Sequence, residues 1–172
     1  MWANPIVTSH QLLVLVTGGS LISQTTEYAL RAVMFLALHE GKAHTTLQIA
    51  GGTRVPQAYL SKVLQALSRG GIVTSQRGLG GGFTLALKPK NITLLQIIEV
   101  VDPIRRFDGC EQSPNHDHAL CQLHQRLDDT MMLVQKQFAK ATIQSLISAN
   151  SASITPLCTL AKTKKRVGVR NK

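Results

Sequence analysis

The sequence predicts a mostly α-helical chain with one small β-hairpin, on three observations. Between residues 45 and 70 two helical patterns flank a glycine turn; two short alternating runs around a glycine-rich loop follow directly; and from Leu120 a long apolar periodicity sets in. A helix-turn-helix followed by a hairpin is a winged helix. The chain's 172 residues accommodate one such domain with appendages. The division expected is an N-terminal extension over 1–21, a winged helix-turn-helix DNA-binding domain over 22–103, a loop over 104–119, a dimerisation helix over 120–149 and a disordered basic tail over 150–172.

Residues 1–21 carry a short apolar patch without the basic start or cleavage site of a signal peptide, so they read as an extension. Helix one is predicted over 26–39. The Ser23/Gln24/Thr25/Thr26 cluster offers capping oxygens, Glu27 sits in the first turn where the helix dipole favours a carboxylate, and Gly41 closes the element. A short helix over 47–50 is expected to stop at a turn made by Gly51 and Gly52. A second helix then starts with Pro56 in its first turn, where no backbone donor is required. In it Tyr59, Leu60, Val63, Leu64 and Leu67 form an apolar stripe, leaving Gln57, Ser61, Lys62 and Gln65 on other faces. Gly70 and Gly71 end it. Strands over 72–75 and 82–87 are joined by Arg77-Gly78-Leu79-Gly80-Gly81. Thr93 caps a helix over 94–101 that Pro103 terminates. Past the loop, Leu120, Leu123, Leu127, Met131, Val134, Phe138 and Ala141 mark one face of a single helix reaching residue 148. At 1.5 Å per residue it would be roughly 40 Å long, more than this domain needs for its own core, and such a helix pairs with a second copy to give a homodimer.

Charge narrows the partner. The formal net charge is +10 and the pI about 10.0, which calls for a polyanion, either nucleic acid or an acidic membrane surface. Residues 41–98 contain no Asp or Glu but seven Lys and Arg, the pattern of a phosphate-facing surface. Residues 99–129 reverse this with seven acids against Arg105, Arg106 and Arg126, and also hold His116, His118, His124, Cys110 and Cys121. After Asp129 there is no further acid, and the basic residues from Lys162 onward read as an arm that is solvated or touches DNA nonspecifically.

Other classes fit less well. A 44% hydrophobic share excludes wholesale disorder, and no apolar run approaches the ~20 residues of a membrane span. Aromatics at 4% are few for an RNA- or single-strand-stacking module, and the amphipathic helix lacks the basic face a lipid surface requires. His124 beside Cys121 is the one hint of a nucleophile and base, but no orienting third group can be placed, so no enzyme is predicted. Three spread cysteines, Cys110, Cys121 and Cys158, cannot build a secreted disulfide framework and point to a reducing cytoplasm.

Three segments make the chain similar to the bacterial Rrf-two transcription regulators, with a match over about 22–147. They are Thr26-Glu27-Tyr28-Ala29-Leu30-Arg31; the second helix with Tyr59-Leu60 and Leu64-Gln65-Ala66-Leu67; and Arg77-Gly78-Leu79-Gly80-Gly81-Gly82-Phe83. The resemblance implies a dimeric regulator, a repressor by expectation, that binds a palindromic duplex with its second helix in the major groove and a wing arginine in the minor groove. Gln57, Tyr59, Ser61 and Lys62 are the expected helix contacts, with packing of Tyr59 in the core as the alternative. Arg77, with Gly78 and Gly80, is the expected wing reader, since glycines let the backbone approach phosphate and a narrow minor groove favours a guanidinium.

The resemblance also implies a sensing loop. Family members that hold an iron–sulfur cluster carry three cysteines there, and some recruit a residue three positions beyond the last or a carboxylate from helix one of the other subunit. Cys110 and Cys121 match the outer two, while the middle position falls near Asn115 or His116. The expected signal is redox, nitric oxide or iron–sulfur status, and three readings stay open: a cluster held by Cys110, Cys121, His124 (or His116) and Glu27 of the other subunit, two-iron rather than four-iron; a reversible Cys110–Cys121 disulfide switch; or a cofactor-free regulator switched by a partner protein or small molecule. Cys158 is expected to be inert.

Overall fold

The structure, a computed structural model, describes residues 22–78, 80–107, 109 and 120–150. The extension and tail expected at 1–21 and 151–172, with Cys158, lie outside the described residues. So do Cys110, His116 and His118. Helix α1 (Gln24–Leu38) is followed by α2 (Thr46–Thr53), α3 (Gln57–Arg69), strands β1 (Val73–Gln76) and β2 (Gly82–Leu85), a 3-10 turn (Pro89–Asn91), α4 (Leu94–Val101), α5 (Gln122–Lys140) and α6 (Ile143–Asn150). The mostly helical winged-helix architecture predicted from sequence is present.

Local signals account for most boundaries. The Ser23 hydroxyl accepts the Thr26 N–H at 3.2 Å, starting α1 two residues earlier than expected. Capping boxes start α2 and α4: the Thr45 hydroxyl accepts from Gln48 N–H and the Gln48 side chain from Thr45 N–H, and Thr93 and Gln96 repeat the device. Helix α3 ends in a Schellman closure, Gly71 N–H to Ser68 O and Ile72 N–H to Leu67 O, which passes the chain straight into β1. The strands pair antiparallel, Val73 with Leu85 through Gln76 with Gly82. His44 adds a bridge to β2, exchanging both backbone hydrogen bonds with Phe83.

The core lies where α1 is enclosed. Ala29, Ala32, Val33, Met34, Phe35, Leu36 and Ala37 are all buried, as an apolar circumference predicts, and meet Ile49 of α2, Leu60, Leu64 and Leu67 of α3 and Ile97 of α4. Ile92 and Ile143 close the far end.

Two sequence expectations are corrected. Gly51 and Gly52 do not form the turn but lie within α2, which the capping box propagates to Thr53. A Cβ on Gly52 would lie 2.2 Å from a ring carbon of Phe35, so this glycine is a packing notch. The turn is instead made by Arg54, left-handed at φ 57°, with Val55 and Pro56, and Pro56 is the residue preceding α3 rather than part of its first turn. The single helix expected over 120–148 is two. At Ala141 the backbone is extended; its carbonyl accepts Leu94 N–H, Ile143 N–H donates to Ile92 O, and the Thr142 hydroxyl accepts Ser145 N–H to start α6. Burying Ile143 completely outweighs the continuity of the helical pattern. The helix that remains, α5, has 19 residues and is about 28 Å long.

Candidate nucleic-acid interface and sensing segment

Helix α3 has one apolar face, Leu60, Val63, Leu64 and Leu67, all buried, which leaves the opposite face to solvent. Gln57 and Lys62 are exposed there, and Ser61 is half-buried with its hydroxyl donating to Gln57 O at 3.1 Å. Tyr59 does not join the core stripe: it is 61% exposed, its ring 6.3 Å from that of Tyr28 on α1. The exposed phenol thus stands one turn from Lys62 on α3, in a segment, α2 through β2, whose sequence contains no carboxylate.

Arg77, Gly78 and Gly80 are exposed at the hairpin tip. Gly78 and Gly80 have φ of 98° and 79°, left-handed values that a side chain would resist. Gly82 serves the other end of the wing: a Cβ there would stand 2.5 Å from the His44 carbonyl, so its absence is what lets β2 bridge to His44. The arginine-glycine loop is therefore a shaped projection carrying the Arg77 guanidinium. Lys42, Arg54 and Lys88 are exposed nearby in sequence, as expected of phosphate contacts or solvated charges.

Arg31 is a residue that sequence reasoning quoted but gave no role. Its guanidinium pairs with Glu27 one turn earlier and donates to Thr53 O at 3.5 Å, tying α1 to the last residue of α2, just before the turn that aims α3. The signal was available in the Glu27/Arg31 spacing of one helical turn. The same pair bears on the sensing site, because it commits the Glu27 carboxylate to a neighbour on its own helix.

The chain entering the cysteine loop is clamped onto α5. Asp128 is buried; it receives the Arg106 guanidinium on both oxygens, with the Nε contact at 2.9 Å, and the Phe107 N–H at 3.2 Å. The Arg106 hydrogen bond, helped by the Phe107 amide, holds the Asp128 carboxyl below the usual aspartate range despite burial, and Arg106 is raised in turn. Gln135 donates to Ile104 O at 3.2 Å. Phe107 stacks on His124 at 4.9 Å, and the His124 Nδ1 lies 3.6 Å from the exposed Cys121 sulfur at the head of α5. Cys121 and His124 therefore meet as their spacing predicts. Among the described residues no group of three or more His, Cys, Asp or Glu stands together for a metal. The thiol–imidazole pair fits a soft metal or an iron–sulfur cluster in donor chemistry, as two donors of a larger set.

The apolar face of α5 divides. Met131, Val134 and Phe138 lie toward α1 and α4, around a cavity of about 200 Å³, while Leu123 and Leu127 of the same stripe are 65% and 40% exposed. No helix among the described residues is long and apolar enough to cross a membrane.

A carboxylate-free recognition helix, a glycine-shaped basic wing and a helix carrying its own apolar overhang define the winged-helix class of DNA-binding transcription regulators. Comparison with known proteins agrees: residues 22–149 match the family described as Rrf2, iron-dependent transcriptional regulator, and the chain belongs to that family. It is 30% identical over 141 residues to the "Putative HTH-type transcriptional regulator" of Aquifex aeolicus (strain VF5), covering 80% of this chain and 98% of that protein. Among solved structures it is similar to T. potens IscR, with a TM-score of 0.65 and 22% identity over 81% of this chain and 95% of that one; this likeness is one of fold. CymR, the global cysteine regulator of B. subtilis, gives a TM-score of 0.60 at 26% identity, covering 76% of this chain and 98% of that one. The family and its relatives are transcription regulators, not enzymes.

Proposed function

We propose that the protein is a cytoplasmic, homodimeric repressor that reads a palindromic operator through α3 and the wing and changes its grip on DNA in response to chemistry at the Cys110–Cys121 loop. The observation that carries the DNA reading is the exposure of Gln57, Tyr59, Lys62 and Arg77 within a segment, residues 41–98, that has seven Lys and Arg and no Asp or Glu. Gln57 and Ser61 suit base edges, Tyr59 and Lys62 suit phosphates or base edges, and Arg77 suits the minor groove. Two copies are favoured by Leu123 and Leu127, whose exposed face extends the stripe that α1 and α4 cover further along α5.

Selection of duplexes from a randomised pool by the full chain, followed by titration at several salt concentrations, tests the reading. Arg77→Ala should relax sequence preference. Lys62→Ala should weaken all sequences alike and lower the salt slope by about one. Selection of no duplex motif, or both variants behaving as wild type, would refute the assignment.

For the sensor, a cluster would be held by Cys110, Cys121 and His124, with His116 as the alternative, and by Glu27 of a second copy once Arg31 releases it. Such a group would supply reversible oxidation and reaction with nitric oxide. A two-iron cluster suits this mixed donor set. A second reading is equally open to test: the Cys121 thiol, which touches His124, and the Cys110 thiol give up two electrons and two protons to a peroxide-class oxidant and join as a disulfide, with no metal involved. Iron and sulfide analysis of protein purified without oxygen separates the two. The loop is refuted as the sensor if Cys110→Ala and Cys121→Ala change neither metal content nor DNA affinity under oxidant.

A further inference from the structure

The cavity between α1, α4 and α5 is lined by Met131, Val134, Phe138 and Ile98 and by the exposed Asp102 and Arg105. Both charged residues are exposed, and neither takes part in an ion pair among the described residues. Their neighbour Arg106 is by contrast fully engaged with Asp128. An apolar pocket flanked by one unpaired anion and one unpaired cation complements a ligand that carries both charges at one end and a hydrocarbon group at the other. A carboxylic acid alone would leave Asp102 facing it without a partner, and an amine alone would do the same to Arg105. Size sets a further limit. A dry cavity of about 150 Å³ holds benzene, six heavy atoms. On that scale the 200 Å³ here holds roughly eight, the size of valine or, with slight expansion, of leucine, isoleucine or methionine.

We propose that this cavity binds a neutral, apolar α-amino acid, with the carboxylate on Arg105, the ammonium on Asp102 and the side chain among Met131, Val134 and Phe138. Bound there, the ligand bridges two parts of the fold. Ile98 lies in α4 and Asp102 is its C-cap; α4 packs on α1 and α3 of the DNA-reading unit, while α5 carries the Asp128 clamp and the apolar overhang. Occupancy favours whichever angle between α4 and α5 fits the ligand and so shifts DNA affinity. That effector role rests on the DNA-binding reading, whereas the binding itself does not.

Isothermal titration of the full chain, without DNA, with the twenty L-amino acids tests it. The expected result is saturable binding by members of the valine, leucine, isoleucine and methionine group, and none by 4-methylpentanoate or 3-methylbutylamine, which lack one charge each. Arg105→Gln and Asp102→Asn, both at exposed side chains, should each weaken binding about ten- to hundredfold while leaving the circular dichroism unchanged. Val134→Trp should fill the cavity and abolish binding. Failure of every amino acid to bind, equal binding by the singly charged analogues, or wild-type affinity in Arg105→Gln and Asp102→Asn would overturn the site; occlusion by a second copy would register as the first of these. A parallel gel shift on the selected duplex, without amino acid, reports on DNA binding separately.

Discussion

Adjacent glycines in α2 should respond to the same substitution with opposite sign. At Gly52 an added Cβ would stand 2.2 and 2.6 Å from two ring carbons of Phe35, where ordinary carbon contacts need about 3.5 Å or more. The ring must move by about an ångström. It has little room, since Phe35 is buried, stacked on His39 at 4.3 Å and edge-on to His44 at 5.2 Å. Overpacking of this kind costs about 1–3 kcal/mol, against a helix-propensity gain of at most ~1 kcal/mol for replacing glycine by alanine. Gly52→Ala should therefore lose about 1–2 kcal/mol net. For a domain of this size that is a fall in Tm of roughly 3–10 °C. At Gly51 nothing lies within 4 Å of the added atom, so Gly51→Ala should gain about 0.5–1 kcal/mol and raise Tm. Phe35→Leu should cost less in the Gly52→Ala background than in wild type, because the smaller side chain relieves the clash. Thermal melts followed by circular dichroism measure the four variants against the wild type. A Tm shift in the same direction for Gly52→Ala and Gly51→Ala would rule out the Phe35 clash as the deciding contact.

Three further outcomes follow from named contacts. Thr142→Ala removes the hydroxyl that accepts Ser145 N–H and should cost about 1 kcal/mol by chemical denaturation, while the Leu94-to-Ala141 and Ile143-to-Ile92 hydrogen bonds keep the break, visible as amide-exchange protection of Leu94 and Ile143 in the variant. Because the Asp128 carboxyl is lowered in the folded state, its contribution to stability is complete above the ordinary aspartate range and is lost as pH falls through the lower, folded value. Asp128→Asn should thus destabilise at neutral pH and flatten the acid limb of the stability profile; an unchanged limb would show that the clamp does not couple folding to that proton. Leu127→Glu places a charge on the exposed apolar face of α5; on the proposed reading the wild type sediments as a dimer and the variant as a monomer of unchanged helicity, and a monomeric wild type or a dimeric variant would refute dimerisation through this face.

Much of this architecture was legible because local chemistry and tertiary packing agree. Thr93 to Val101 reads as a capped apolar helix and is one, since capping box, period and following proline coincide. The wing was readable for the same reason: its glycines are required by backbone geometry at Gly78 and Gly80 and by contact with His44 at Gly82. The misreadings lie where a distant partner decides. Gly51-Gly52 looks like a turn because only Phe35, on another helix, requires the missing side chain. The pattern through Ala141 continues at helical spacing, and what interrupts it is a pair of hydrogen bonds to the segment before α4. At the candidate site, the exposure of Tyr59 could not be separated from core packing by periodicity alone, since an aromatic at the edge of a stripe serves either side. The Cys121–His124 pair was predictable from a spacing of one turn. Asp128 was not, because its partners Arg106 and Phe107 are distant in sequence.

On the proposed reading, in which the cysteine loop senses and α3 reads DNA, the clamp supplies a route from one to the other. Cys121 begins α5, and His124, which it touches, stacks on Phe107; two residues toward the N-terminus of Phe107 is Arg105 at the cavity, and Ile104 is held by Gln135. Between Phe107 and the end of α4 at Val101 the connection is thus fixed at three points on α5 and is not a slack linker. At the other end of that connection Val100 packs directly against Gly70, the cap of α3, where a single added methyl would stand 2.4 Å from its side chain. Contacts that close cannot absorb a displacement of α4 by compression, because packed interiors deform by repacking and not elastically. A rearrangement of the loop that breaks the His124 stack or the Asp128 clamp therefore frees α4 and α5 to turn relative to each other. With α4 seated on the end of α3, that turn would alter the angle at which the two α3 helices of the proposed dimer meet successive major grooves.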